Sequence, residues 1–144
     1  MFSTQEEVGT RGAKIGPYAK KIDEFISVDV SFAYTPTCDK ADCKEIGKGA
    51  MIGFSPILDK MISRKLVDTA KKNNIPYQCE IMNGSTGTNA DVITLSENGI
   101  KGALISIPEK YMHQPMEVVD ISDIESVSKL ICAYVKEKAG ELNA

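Results

Sequence analysis

Glu6 and Glu7 stand side by side in Ser3-Thr4-Gln5-Glu6-Glu7-Val8-Gly9, between a short β-type stretch (Met1 to Thr4) and the Gly-rich turn Gly9-Thr10-Arg11-Gly12. Carboxylates at a strand end beside a tight turn project from the carboxyl edge of a sheet, where open α/β folds bind ligands. Successive residues of an extended segment point to opposite sides, so one carboxylate can hold a metal while its neighbour faces a water. Taken alone, the pair reads more simply as a solvated one at home near a helix N-terminus. Asp29 lies in Ser27-Val28-Asp29-Val30-Ser31, an apolar stretch where an unpaired carboxylate is costly, so a cation partner is expected. The single histidine, His113, follows the last strand-like run in Pro108-Glu109-Lys110-Tyr111-Met112-His113-Gln114-Pro115. A lone histidine near a turn is most often a surface or structural residue. In an α/β sheet, however, residues that follow successive strands converge on one edge. Glu7, Asp29 and His113 would meet there, and two carboxylates with an imidazole suit hydrolytic zinc or a related divalent metal.

The elements that must position these groups alternate along the chain. Apolar, β-rich stretches run over Phe25 to Ala33, Tyr77 to Met82 and Gly102 to Ile107. A helix is predicted to open at Ser55 as N-cap with Pro56 at its first position. Its apolar face is Ile57, Leu58, Met61, Ile62, Leu66 and Ala70, and it closes at Lys71-Lys72-Asn73-Asn74. A second helix is predicted from Ala90 to Glu97, closed by Asn98-Gly99. A third runs from Ser122, where Ser122-Asp123-Ile124-Glu125 resembles a capping box, to Ala139, with Ile124, Val127, Leu130, Ile131 and Val135 as its stripe. A weaker helix spans Ala13 to Ile22. This alternation predicts an α/β fold, a three-layer α/β/α sandwich on a mainly parallel sheet, formed by residues 1–144 as one domain. The interval Tyr34 to Gly53, with its charged run Asp39 to Lys44, reads as an extended loop near the ligand edge.

Composition excludes several classes. With a net charge of -3 there is no basic surface for nucleic acid. No run of 18 apolar residues and no signal peptide is present, so a soluble cytoplasmic protein that does not engage a membrane is expected. The four cysteines do not suggest a disulfide framework. Cys79 and Cys132 read as small buried hydrophobes. Cys38 and Cys43 have a spacing that could hold a metal, although no second Cys/His pair completes a zinc site.

Gln5-Glu6-Glu7-Val8-Gly9, then Asp29, then Tyr111-Met112-His113 before Pro115 and Glu117-Val118-Val119-Asp120, resemble the C-terminal half of a dinuclear metallo-aminopeptidase. Ile75-Pro76-Tyr77-Gln78 and Ile105-Ser106-Ile107-Pro108 extend the likeness over essentially the whole chain. The family is that of glutamyl and deblocking aminopeptidases, including the TET assemblies, many of whose members carry a cellulase or endoglucanase label.

The resemblance implies Glu6 as the general base, Glu7 and His113 as ligands of one metal, and Asp29 as a ligand of the other. It implies two divalent ions per complete site, zinc with cobalt as the alternative, a peptide substrate and a homo-oligomer. It also implies a partner: the family's first half, with a bridging aspartate, a further histidine ligand and an inserted dimerisation domain, has no counterpart in these residues. Met1 then falls inside a strand, and the sheet edge left bare predicts self-association. The loop Ser85-Thr86-Gly87-Thr88-Asn89-Ala90 departs from the family at Asn89, where aspartate is usual. Gly87, Thr88 and Asn89 are implied as residues that position substrate or orient the ligands. Two other functions fit the residues: a non-catalytic association or metal-binding domain derived from this family, and a small α/β binding module whose Cys38/Cys43 loop holds a metal.

Overall fold

The computed structural model describes residues 1–19, 21–38 and 43–142. At its centre is β4 (Lys101–Lys110), buried without interruption from Gly102 to Ser106. A continuous apolar run of this kind belongs to a strand covered on both faces. On one side β4 pairs in parallel with β1 (Glu24–Phe32) at nine positions. On the other it meets β2 (Ala50–Phe54) antiparallel at two positions, and β2 pairs in parallel with β3 (Tyr77–Ile81) at five. A short β5 (Val118–Val119) runs antiparallel to the end of β4. The order is therefore β1-β4-β2-β3, with β1 and β3 at the edges. Most paired positions are parallel, as the alternation predicts, but the sheet is mixed.

One face carries the main core. Ile62, Leu66 and Ala70 of α2 (Lys60–Lys72) and Val127, Leu130 and Tyr134 of α4 (Ile121–Leu142) pack on Ala50, Ile52, Ala103 and Ile105. The α4 stripe is shifted from the predicted one: Ile124 and Val135 are exposed, and Tyr134 takes the core place. On the α2 face, Met61 likewise points to solvent. The opposite face is covered by α1 (Arg11–Ile15) and α3 (Ala90–Ile93), through Ala13, Ile93 and Ala90 against Phe25, Ile100 and Leu104. Among the described residues no helix is long and apolar enough to cross a membrane.

Where element ends differ from expectation, side-chain hydrogen bonds decide. Asp59 caps α2, accepting from Met61 N–H at 2.8 Å and Ile62 N–H at 3.1 Å, while its own N–H ties to Gly102 O of β4 at 2.8 Å. Ser55 is not the cap; its hydroxyl donates to Gly84 O and the segment turns before α2 begins. At α4 the cap is Asp120, which accepts the N–H and hydroxyl of Ser122 at 2.8 and 2.6 Å. Asp123, fully buried, turns away to accept the N–H groups of Gly47 and Gly49, each at 2.7 Å. That contact pins the segment entering β2, a strand within the interval 34–53 that the sequence predicts to be an extended loop. Helix α3 ends at Ile93 rather than Glu97 because Thr94 and Ser96 hydroxyls bond back to the carbonyls of Asp91 and Val92. Helix α1 stops before Pro17 and continues as one 3₁₀ turn, Gly16–Ala19.

Cysteine chemistry is corrected on every count. Cys38 and Cys43 are joined by a disulfide, so neither sulfur is a thiolate free to hold a metal. Cys79, on the edge strand β3, and Cys132, on the outer side of α4, are exposed rather than buried. Residues 39–42 of the predicted charged loop, and Lys20 of the predicted first helix, lie outside the described residues.

Candidate functional site

Glu6 and Glu7 are held in a turn rather than at the end of a strand: Met1 to Thr4 pair with no strand of the sheet. Glu6 O accepts from Gly9 N–H at 3.0 Å and from Thr10 N–H at 2.8 Å, and Thr4 O accepts from Gly12 N–H at 3.0 Å. Gln5 and Thr10 adopt φ of 58° and 55°, and Gly9 takes φ of 110°. A side chain at Gly12 would meet Thr4 N at 2.6 Å, so only glycine lets α1 press against this segment. Left-handed backbone at non-glycine residues is a store of strain that clusters at functional sites. The same signature recurs across the site, where Tyr111 and His113 have φ of 64° and 60°. There Glu117 accepts His113 N–H at 2.7 Å and fixes the loop beyond β4.

This arrangement places His113 Nε2 3.5 Å from Glu7 Oε1. Two ligands of a tetrahedral zinc, at bond lengths of about 2.0–2.2 Å, stand about 3.4 Å apart, so the pair has the spacing of donors to one ion. Asp29 lies on β1 with its carboxylate folded to the outer edge, accepting Val30 N–H at 2.9 Å. Among the described residues no cation pairs with Asp29, contrary to the expectation for a carboxylate within a strand. Nor do any three of the described His, Cys, Asp and Glu side chains come close enough together to hold an ion.

Electrostatics nevertheless bind the group into one unit. Burial, then the charges of Asp29 and Glu7, raises the pKa of Glu6, with His113 opposing. Asp29 is raised by burial and by Glu7, against the Val30 hydrogen bond. Glu109, which the sequence reading did not single out, is also raised, by burial, Glu117 and Asp29. Its only advance sign was an acidic residue inside the β4 run, directly after Pro108. Burial is the largest cause of all three shifts. Carboxylate and imidazole donors of this kind suit a divalent cation, and Glu7 and His113 would be two members of a larger ligand shell.

The loop before α3 divides. Gly87 takes φ of 71° and donates its N–H to Asp91 at 3.0 Å, and Thr88 is buried and accepts Ala90 N–H at 3.1 Å. Both shape the loop. Asn89 instead reaches the site, donating to Ser3 Oγ at 2.8 Å and facing the same groove as Glu6, Glu7 and Asp29. Its Oδ1 is buried with no hydrogen-bond partner among the described residues.

Residues 1–130 match the family described as M42 glutamyl aminopeptidase. The chain belongs to that family. It is 35% identical over 137 residues to a lysyl aminopeptidase of Pyrococcus furiosus, covering 95% of this chain and 40% of the relative. In three dimensions it matches the aminopeptidase APDkam598 of the archaeon Desulfurococcus kamchatkensis with a TM-score of 0.84 and 34% identity, over 91% of this chain and 39% of the other. It also matches the TET1 peptidase of Pyrococcus horikoshii, described as assembling into a tetrahedron or a large octahedral shell, with a TM-score of 0.69 and 31% identity, over 92% and 38%. This M42 chain thus spans about 40% of the length of the relatives it matches. The named relatives are peptidases, hence hydrolases, and the fold is the α/β fold of their solved structures.

Proposed function

We propose that this M42 chain carries the general base and part of the metal shell of a metal-dependent aminopeptidase that removes N-terminal residues from peptides. The observation that carries the reading is the contact of Glu7 with His113 at 3.5 Å, beside a Glu6 whose proton affinity is raised. Glu7 and His113 would hold one divalent ion, zinc or cobalt, and Asp29 the other, with further ligands supplied from outside the described residues. When bound, such ions polarise the scissile carbonyl and increase the acidity of water.

Glu6 accepts the proton of the attacking water and returns it to the leaving amine nitrogen. Its raised pKa brings a carboxylate closer to the neutral range where a base is most effective. The carboxylates of the site draw the positively charged amino terminus of a peptide, which sets exopeptidase selectivity. Asn89 positions substrate or orients the ligands from the groove wall, and Gly87 and Thr88 hold its loop in place. A peptide substrate, a cytoplasmic location and a homo-oligomeric assembly complete the reading; the Pyrococcus horikoshii shell supports the last.

A second reading has its own support. The Glu7 and His113 side chains are 74% and 68% exposed, so water is not excluded, and no three donors meet among the described residues. On that reading the chain is a non-catalytic member of the family that acts through association. Fusing the chain to the part of the Pyrococcus furiosus enzyme that it does not match, then comparing Glu6→Gln and His113→Ala, separates the two. A base lost at Glu6 lowers kcat by about 10²–10⁴-fold with bound metal unchanged, whereas His113→Ala lowers bound metal itself. A fusion that binds zinc yet is indifferent to Glu6→Gln sinks the catalytic reading.

A further inference from the structure

Glu80 is a carboxylate that the proposed mechanism does not use, and it is only 7% exposed. It lies on β3, at the opposite end of the strand order from β1, yet its carboxylate reaches both β1 and β4. Oε1 accepts the hydroxyl of Ser31 on β1, and Oε2 accepts the hydroxyl of Ser106 on β4 at 3.2 Å. No cation pairs with Glu80 among the described residues. Burying a carboxylate is costly unless hydrogen bonds replace its water, and apolar side chains would fill the same space at less cost. Stability is therefore a poor account of these three groups. A fully bonded polar network instead fixes geometry.

Both hydroxyls flank Asp29. The parallel register sets Asp29 opposite Ser106, and Ser31 follows two residues later on the same face of β1. That face is turned away from the main core. Ile26, Ala103 and Ile105, of the other parity, pack under α2 and α4, while Leu104, which shares the parity of Ser106, packs with Ala90 of α3. Asp29 itself has little else to hold it. Among the described residues β1 is an edge strand, and the Asp29 carboxylate accepts only the N–H of its neighbour Val30, at 2.9 Å.

We infer that Glu80 is a positioning residue: by holding Ser31 and Ser106 it fixes the stretch of β1 that carries Asp29, and so the direction in which that carboxylate is presented. The purpose of this clamp rests on the proposed metal-dependent site, where Asp29 is a ligand. The clamp itself is read in the metal-free chain, so its failure is distinguishable from failure of the aminopeptidase reading.

The Val30 amide reports where the Asp29 carboxylate points, and amide NMR with hydrogen exchange reads it in the 144-residue chain. In Glu80→Ala the Val30 resonance moves and its exchange quickens by about 10-fold or more, as for a lost bond to a carboxylate. Glu80→Gln keeps the side-chain length, one acceptor and an amide able to donate to the second hydroxyl, so it leaves Val30 at its original values. Ser106→Ala removes one donor and moves Val30 in the same direction by less; it decides the matter where Glu80→Ala does not fold. A Glu80 that merely stabilises would lower the melting temperature in these variants with Val30 unmoved in the folded chain, and that result overturns the proposal. So does a Glu80→Gln variant that displaces Val30 as far as Glu80→Ala does. In the fusion to the unmatched part of the Pyrococcus furiosus enzyme, cobalt is titrated by visible absorption. There Glu80→Ala weakens the binding of one ion by about 10-fold or more and leaves the other unchanged. Unchanged affinity for both ions counts against the clamp. A fusion with Glu80 intact that binds no cobalt sinks the metal-dependent reading, and the Val30 result still decides the clamp.

Discussion

The two sides of β4 are built on different terms. Toward β2 the packing is closed, although the edge strand β3 leaves Cys79 and Ile81 exposed: Ile52, Leu66, Ile105 and Leu130 are fully buried, Asp123 satisfies two main-chain donors, and α2 and α4 cover one face of the sheet. Toward β1 the molecule is open. Phe2, Val28 and Phe32 are exposed, β1 has no strand beside Ile26 and Val28 among the described residues, and Glu6, Glu7 and Asp29 share one groove. The closed side holds the fold, whereas the open side holds the candidate chemistry. The main core of this M42 chain and its proposed site thus lie on opposite flanks of one strand.

That division can be broken by mutation. Leu130→Ala, in the closed core, is expected to cost about 2–5 kcal/mol in chemical denaturation, as buried leucine truncations do. Asp123→Ala leaves the Gly47 and Gly49 donors unsatisfied and frees the entry to β2. A loss of about 2–3 kcal/mol follows from removing charge-assisted bonds at a buried site. Values below about 0.5 kcal/mol for both would mean that the fold does not depend on this flank.

Glu109 lies between the two sides, and its effect has the opposite sign. Burial, Glu117 and Asp29 raise its pKa above the ordinary 4.5. The folded chain therefore binds this proton more tightly than the unfolded one. The resulting penalty is absent below the unfolded value and complete above the folded one. Glu109→Gln should raise the melting temperature at about pH 7 and leave it unchanged at about pH 3. A stabilisation that persists at the lower pH would contradict the burial argument.

Smaller effects sharpen the contrast. Glu137 bridges α4 to α2, accepting from Thr69 Oγ1 at 2.7 Å and from Lys72 Nζ at 3.0 Å, contacts that lower its pKa below the ordinary 4.5. Its contribution is complete above the unfolded value and fades as pH falls through the folded one. Glu137→Gln should lower stability above about pH 4.5 and flatten the acid limb below it. On the open flank, Phe2→Ser is expected to change stability by no more than about 0.5 kcal/mol, because its ring touches mainly water. A large loss there would show that the Phe2 ring itself is packed, contrary to its exposure.

What the sequence showed and hid follows the same division. Strands β1, β3 and β4 and helices α2 and α4 announce themselves by continuous apolar runs or a 3.6-residue stripe. β2 was missed because Ala50-Met51-Ile52-Gly53-Phe54 is short and glycine-flanked, and its place depends on the distant Asp123. Helix starts slipped because Asp59 and Asp120 cap the first turns of α2 and α4, whereas Ser55, although it accepts Ile57 N–H at 3.3 Å, opens only a turn. At the site, Glu7 and His113 were legible together, yet the strained backbone at Tyr111 and His113 and the hold of Glu117 were not. Periodicity carries no sign of positive φ. Met1 to Thr4 read as β-type and remain unpaired, because a strand needs a neighbour that these residues do not supply.

The most direct test is hydrolysis of an aminoacyl-p-nitroanilide, with zinc or cobalt added, by the 144-residue chain and by its fusion to the unmatched part of the Pyrococcus furiosus enzyme. The account predicts turnover by the fusion and none above background by the chain alone. Robust metal-dependent turnover by the chain alone would contradict it, because the open flank would then need nothing more to work.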